Sequence, residues 1–176
     1  ITATNMSLAG AGGTYTLTNS SNAIGALSAN TDTINLDNGS TALSIGSVNS
    51  ITGATATNLY LSSTGTVTQS QAITATNLSL AGSGGTYTLT NSSNAITTLS
   101  ADTGTLSFLE NSGFAIGSVN SVNGATATNL YLSSTGTVTQ SQAIAATNLL
   151  LQSSGTYTLT NSSNAITTLA ASGTST

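Results

Sequence analysis

The stretch that decides the fold is Gly85-Thr-Tyr-Thr-Leu-Thr-Asn-Ser-Ser-Asn-Ala-Ile96. Between Thr86 and Thr90, polar and apolar residues alternate, which is the period of a β-strand with one buried face. Asn91-Ser-Ser-Asn94 is a cluster of turn-forming residues, and the apolar Ile96 follows it. The stretch therefore predicts a strand, a tight corner and the start of another strand.

This arrangement recurs along the chain with two periods. Segment 1–72 recurs as 73–143 and begins a third time at residue 144, which gives a long repeat of about 72 residues. Within it, an isoleucine that usually follows alanine returns at intervals of about 20 to 28 residues, and three intervals make up one long repeat. The series is Ile1, Ile24, Ile45, Ile73, Ile96, Ile116, Ile144 and Ile166.

An interval of about 24 residues fits one coil of a β-solenoid, in which short strands stack coil on coil into parallel sheets. The sequence predicts an all-β parallel β-helix of about seven coils of 20–28 residues, with three coils in each repeat of 71–72 residues. Residues 1–176 would form a single solenoid segment with repeats at 1–72, 73–143 and 144–176. Since neither end carries a cap, we expect this segment to belong to a longer protein.

Stacking of such coils predicts a ladder of like residues inside the solenoid. In this register Ile96 would lie directly between Ile73 and Ile116. The predicted ladder consists of Ile24, Ile45, Ile73, Ile96, Ile116, Ile144 and Ile166.

The composition excludes most chemistry. The chain is 38% hydrophobic and 2% charged, and it has no Lys, Arg, His, Cys or Pro. Without cations it lacks the electrostatic attraction that drives binding to nucleic acids and to anionic lipids. Without His and Cys it has neither a Ser-His-Asp triad nor imidazole or thiolate metal ligands. We therefore expect no cofactor, no nucleic-acid partner and no membrane insertion.

Four carboxylates are the candidates for catalysis or metal binding, and all lie in the intervals Ile24–Ile45 and Ile96–Ile116: Asp32, Asp37, Asp102 and Glu110. A carboxylate pair could act in glycoside hydrolysis, and a cluster with backbone carbonyls could bind calcium. No other residue supports either chemistry. We interpret these acids as solvated loop residues and expect that the protein is not an enzyme.

Five tyrosines divide by their position in the alternating pattern. Tyr60 and Tyr131 stand between two leucines, so they should face outward, where a ring can contact a sugar or a neighbouring fibre. Tyr15, Tyr87 and Tyr157 each lie two residues before a leucine, so they point to the same side of the strand as that leucine and are predicted to be in the core.

Pairs of the form Thr-x-Thr suggest a second kind of surface. Ranks of such pairs resemble the ice-binding face of some β-solenoid antifreeze proteins, although the middle coil of each triple lacks the pair and Thr also favours strands. The pairs are Thr14/Thr16, Thr66/Thr68, Thr86/Thr88, Thr137/Thr139 and Thr156/Thr158.

Asparagines recur at the predicted corners. Asn22, Asn94 and Asn164 are interpreted as turn residues whose side chains bond nearby backbone or stack in an amide ladder. Sequons for N-glycosylation also occur, and in so polar a chain several are expected by chance. They begin at Asn5, Asn19, Asn38, Asn77, Asn91 and Asn161.

Three runs resemble the repeats of filamentous-haemagglutinin-like exoproteins of Gram-negative bacteria, the two-partner-secretion type. They are Gly85 to Ile96, Glu110-Asn-Ser-Gly-Phe-Ala-Ile-Gly117 and Ser133-Ser-Thr-Gly-Thr-Val-Thr-Gln-Ser-Gln-Ala-Ile144, and the likeness extends over essentially the whole chain. The resemblance implies a right-handed parallel β-helix, export through an outer-membrane partner, and a long surface shaft in adhesion or biofilm. It transfers no functional residue, because shaft repeats of that family are structural.

The sequence thus predicts a shaft segment of a secreted bacterial fibrous adhesin or extracellular filament at the cell surface. Self-association into fibres or bundles is expected because little charge opposes it. A glycan or protein on a host or neighbouring cell is the candidate receptor. The alternative is a solenoid that binds ice or polysaccharide through a flat Thr-rich face.

Overall fold

The computed structural model describes residues 1–172, which contain seventeen β-strands and no helix. In chain order the strands are β1 Thr2–Leu17, β2 Ala23–Asp37, β3 Leu43–Ile45, β4 Ser47–Val48, β5 Ile51–Thr52, β6 Ala54–Ser62, β7 Thr66–Gln69, β8 Ile73–Leu89, β9 Ala95–Glu110, β10 Ala115–Ile116, β11 Ser118–Val119, β12 Val122–Asn123, β13 Ala125–Ser134, β14 Thr137–Gln140, β15 Ile144–Gln152, β16 Thr156–Thr158 and β17 Ala165–Ser172. Thirteen of them form one parallel sheet that winds around the molecule.

The chain is a β-solenoid of about nine coils, which confirms the predicted all-β, parallel stacked fold. Two lines of stacked strand partners, which both include a residue of β3, together cross every coil. The first line is Met6, Leu27 and Ile45. The second begins two residues earlier on β3, at Leu43, and continues through Val67, Tyr87, Leu106, Leu130, Leu149 and Leu169.

The prediction of about seven coils, three to a repeat, is wrong because the isoleucine spacing overestimates the coil length. Strand partners in adjacent coils are 17 to 21 residues apart in most of the chain, as for Leu99 and Ile116 or Leu78 and Leu99, and 24 or 25 apart only where segment 46–53 or 117–124 lies between them. The longer isoleucine intervals include two excursions, 46–53 and 117–124, that leave the coil as antiparallel hairpins. Their residues add chain length without adding coil.

The predicted isoleucine ladder is also wrong in its stacking. Ile96 pairs with Ala75, Ile73 with Ala54, and Ile116 with Leu99. Likewise Ile24 pairs with Ala3, Ile45 with Leu27, Ile144 with Ala125 and Ile166 with Ala146. The inward orientation is correct, since the first six ladder residues are buried and Ile166 packs partly buried against the core. Five of these isoleucines lie at the first or second position of a strand, whereas Ile45 and Ile116 are the last residues of β3 and β10, so the series does not mark equivalent points of successive coils.

The in–out alternation changes phase at corners. In β6, Ala54 and Ala56 are buried, Thr57 and Asn58 both face outward, and burial resumes at Leu59 and continues with Leu61. Two successive outward residues bend a strand around the core without breaking its hydrogen bonding to the neighbouring coil. Thus, one continuous strand covers two faces of the solenoid.

Candidate binding surfaces

The four carboxylates do not form a site. Asp102 is exposed on β9 between Ala81 and Thr126 of the adjacent coils, whereas Glu110, at the end of the same strand, is 0% exposed. The carboxyl group of Glu110 has no exposed surface with which to contact a glycosidic oxygen, so Asp102 and Glu110 do not form such a pair. Residues 1–172 also contain no group of three or more acidic, His or Cys side chains that could hold a metal ion.

Glu110 is not the solvated loop acid that was predicted. One carboxylate oxygen accepts hydrogen bonds from the backbone nitrogen of Ser112 (3.0 Å) and from its hydroxyl, and the other accepts one from the nitrogen of Gly113 at 2.6 Å. These donors take the place of water around the buried carboxyl group. Its role is to hold a corner.

Asp32 and Asp37 are half-buried and also bond locally. The hydroxyls of Thr57 and then Thr33 donate hydrogen bonds to Asp32, which lowers the pKa of that carboxyl below its ordinary value. The Thr33 bond measures 2.9 Å. Asp37 accepts a hydrogen bond of 2.9 Å from the backbone nitrogen of Gly39. Both contacts belong to corner formation.

The tyrosines fall into the two predicted groups. Tyr60 and Tyr131 are half-buried, and each stands between two buried leucines. Tyr87 is completely buried, and Tyr15 and Tyr157 pack partly buried against the core.

Each inward tyrosine spans a corner with its hydroxyl. Tyr87 donates to the carbonyl of Ala81 (2.5 Å), Tyr15 to that of Ala9 (2.5 Å), and Tyr157 to that of Gln152 (2.7 Å). Burial raises the pKa of Tyr87 and, less strongly, that of Tyr157. The hydroxyls of Tyr87 and Tyr157 therefore stay protonated and act as hydrogen-bond donors.

Threonine pairs do form aligned ranks, over two coils each. Thr66 and Thr68 stack on Thr86 and Thr88, and Thr137 and Thr139 stack on Thr156 and Thr158. A third rank was not predicted: Thr55 stacks on Thr74, and these two with Thr57 and Thr76 line a shallow groove of about 480 Å³. A second groove of about 390 Å³ occupies the equivalent place in the next repeat, along Thr126, Thr128 and Thr147.

Two small hairpins are surface features that sequence reasoning missed. The turns are Asn49-Ser50 between β4 and β5 and Asn120-Ser121 between β11 and β12, and all four residues have positive φ. Two successive positive φ angles define a type I′ turn, for which Asn is well suited and Ser is not. A signal was therefore present in the two Asn-Ser pairs, but Asn-Ser is also the commonest corner pair in this chain.

The hairpins lie against the outside of the solenoid. The hydroxyl of Ser28 donates to the carbonyl of Val48 (3.1 Å), and that of Ser100 to the carbonyl of Val119 (3.3 Å). At the hairpin base a β-carbon added to Gly53 would stand 2.2 Å from the Ala72 carbonyl oxygen, and Gly53 has a φ of +73°. Only glycine fits this junction.

Corner asparagines act as predicted, through their amides. Asn94 accepts hydrogen bonds of 2.8 Å from the backbone nitrogen of Ile73 and from the Gln69 side chain, and donates to the carbonyl of Leu109 (3.0 Å). It therefore ties together three successive coils. Asn164 repeats the contact with Gln140, and Asn22 donates to the carbonyls of Leu17 and Asp37.

Several sequon asparagines are used by the fold. Asn38 is 0% exposed and bonds both the nitrogen and the oxygen of Ile24, so a glycan cannot be attached there in the folded chain. Asn19, Asn91 and Asn161 each accept a bond from the backbone nitrogen two residues on. Asn77 donates to the side chain of Asn58 at 2.8 Å. Asn5 is exposed.

Residues 1–172 include no helix with the length and apolarity needed to cross a membrane. No family model, no curated protein and no solved structure matches the chain.

Proposed function

We propose that the chain is a structural shaft segment of a secreted bacterial fibrous adhesin or extracellular filament, with a role in surface attachment or in biofilm and matrix formation. The observation that carries this proposal is the stack of about nine coils, whose interior is apolar and whose exterior is nearly uncharged. Stacking lets such a structure extend by repetition, since each coil buries its apolar side chains against its neighbours. The resemblance of the repeats to haemagglutinin-like exoproteins points to the same role.

A shaft needs rigidity, and the corner contacts provide it. The amides of Gln69 and Asn94 bond each other in both directions, at 2.8 and 2.9 Å, and Gln140 and Asn164 do the same at 2.8 and 2.9 Å. A partly buried amide pair that also bonds backbone holds adjacent coils in one register. In this proposal the protein performs no catalysis, and its partners are further copies of the chain and a glycan or protein receptor.

The experiment is immunogold electron microscopy of the producing cells with an antibody against the repeat. We expect label along fibres that project from the cell surface. Label on compact particles in the medium, with none on fibres, would overturn the proposal. Preimmune serum on the same cells is the control for non-specific adsorption.

Binding through the threonine ranks is the second candidate. The specific observation is the stacking of exposed Thr55 on exposed Thr74, with exposed Thr57 and Thr76 beside them in the same groove, which presents a cluster of hydroxyl and methyl groups. The test measures thermal hysteresis and retention on immobilised polysaccharides, with Thr57→Asp and Thr76→Asp as disrupting variants and Thr18→Asp, exposed outside the ranks, as the control. Absence of both activities in the unmodified chain would exclude this candidate.

A further inference from the structure

The strand register shows how many coils one sequence repeat of about 72 residues spans, which the repeat length and the coil length do not show separately. Three columns of stacked partners run along the solenoid. Column I is Leu8, Ala29, Ala54 and Ile73. Column II is Leu17, Leu36, Leu61, Leu80, Ala101, Ala125 and Ile144. Column III is Leu89, Phe108, Leu132, Leu151 and Ala171.

Residues that correspond in successive repeats never share one of these columns. Leu8 in column I corresponds to Leu80 in column II and to Leu151 in column III, and Ala29, Ala101 and Ala171 follow the same order. The remaining correspondences also advance by one column. They are Leu17 to Leu89, Leu36 to Phe108, Ala54 to Ala125, Leu61 to Leu132 and Ile73 to Ile144.

We infer that each repeat of about 72 residues spans three and one third coils, so that every surface feature recurs about a third of a turn further around the solenoid. The physical basis is the coil length of about 21 residues, which does not divide the repeat into whole coils. An array of these repeats returns to the same face after three repeats and ten coils, or about 48 Å along the axis at ordinary strand spacing. The inference does not depend on the proposed shaft function.

The hairpins and grooves show what the rotation does to the surface. The first hairpin, 46–53, leaves the coil just before Ala54 in column I, and the second, 117–124, leaves it just before Ala125 in column II. The two threonine grooves follow the same two columns. Each face thus carries a given groove only once in three repeats. Molecules that bind the grooves or hairpins of successive repeats would therefore lie on different sides of the solenoid. An extended flat surface, such as a crystal lattice, can contact only one groove in three.

The test is a distance measurement between nitroxide spin labels on cysteines placed in the 176-residue chain, which has no cysteine of its own. Thr55→Cys with Thr126→Cys labels corresponding positions of two repeats. Asn30→Cys with Ala95→Cys is the control, because these residues lie three coils apart in one column through Thr55 and Thr74. All four positions are exposed.

We expect a separation of about 14 Å between the control backbone positions, three strand spacings, and about 20 Å or more between the corresponding positions, which also differ in face. Equal distances for the two pairs would overturn the inference, because corresponding positions would then stack in line. Thr68→Cys with Thr139→Cys is an independent second pair of corresponding exposed residues, and it must also exceed the control distance. Circular dichroism of each labelled chain checks that the β-structure is intact.

Discussion

The interior of the solenoid and its corners differ in the interactions that hold successive coils together. Inside, one column holds Leu43, Val67, Tyr87 and Leu106 in successive coils, so residues of unlike size and shape follow one another. At the corners the same amide pair recurs with the same contacts in two repeats, as Gln69 with Asn94 and Gln140 with Asn164. Apolar packing is non-directional and tolerates substitutions that conserve total volume, whereas hydrogen bonds require particular donors and acceptors.

The difference indicates where register is specified. A slip by two residues within a face would still bury apolar side chains, so the interior alone selects the register weakly. The same slip would separate the Asn94 amide from the nitrogen of Ile73, the side chain of Gln69 and the carbonyl of Leu109. The corners therefore fix which coil residue stacks on which, and the interior supplies most of the stability.

The largest effect is expected for Ile96→Asp, which puts a charge inside a face. Ile96 is 6% exposed, and the chain has no Lys or Arg to pair with the carboxylate. We expect the free energy of unfolding to fall by about 4 kcal/mol, measured by thermal or denaturant unfolding. Thr97→Asp, one residue along the strand and exposed, is the control and should change stability by less than about 0.5 kcal/mol. Equal stability of the two variants would show that this face is not a core.

Asn94→Ala tests the corner and should have the next largest effect. It leaves the buried nitrogen of Ile73 and the carbonyl of Leu109 without their partners, and we expect a loss of about 3 kcal/mol. Asn91→Ala, which removes one exposed bond to the nitrogen of Ser93, is the matched control at about 0.5 to 1 kcal/mol. If Asn94→Ala and Asn91→Ala lower the free energy of unfolding by the same amount in denaturant unfolding, the amide of Asn94 does not set the register.

Tyr87→Phe tests a residue that belongs to both regions, because the Tyr87 ring packs in the interior and its hydroxyl donates a hydrogen bond at a corner. Without the hydroxyl, the Ala81 carbonyl keeps only the backbone nitrogen of Ser63 as a donor in a partly buried site, and we expect a loss of about 1 to 2 kcal/mol. Tyr15→Phe removes the corresponding bond to Ala9 at an exposed location, where water can replace it, and should cost less than about 0.5 kcal/mol. A larger loss for Tyr15→Phe in denaturant unfolding would contradict the comparison.

The same tyrosine predicts a dependence on alkaline pH. Because burial raises the pKa of Tyr87 above the ordinary value of 10.0, the unfolded chain ionises this group before the folded one does. Stability is therefore fully present below pH 10 and falls as the pH rises above it. Tyr87→Phe should show a weaker decline above pH 10 than the unmodified chain. An unchanged decline would assign the alkaline dependence to other tyrosines.

The smallest effect concerns the corner carboxylate Asp32. Since hydrogen bonds from Thr57 and Thr33 lower its pKa below the ordinary value of 3.8, Asp32 contributes stability above that pH, and the contribution is lost as the pH falls through the lowered value. Thr57→Val should move the pKa upward toward 3.8, as followed by NMR titration of the carboxyl carbon. Thr76→Val in the next coil is the control and should leave it unchanged. A pKa unaffected by Thr57→Val would exclude this hydrogen bond as the cause.

Which side chains of the candidate surface face outward was largely predictable from the alternation of polar and apolar residues along the strands. Alternation placed Tyr60 and Tyr131 outward and Tyr87 inward, and the repeated corners identified Asn22, Asn94 and Asn164 as backbone-bonding residues. The threonine ranks were underestimated, because their alignment depends on which coil lies beside which. The burial of Glu110 was missed because its donors come from a corner whose geometry no local pattern specifies.

The sequence by itself determined that the chain is a parallel β-solenoid built of short strands and polar corners. Strand alternation and corner residues are local properties, and near-identical repeats make stacking the way to bury apolar residues that one coil cannot bury alone. Only the tertiary structure decided the number of coils, the stacking of isoleucine on alanine and leucine, and the one-column advance of each repeat. Those depend on the length of chain that closes one coil, and hence on the departure of 46–53 and 117–124 as hairpins. Coil closure is a property of the assembled stack.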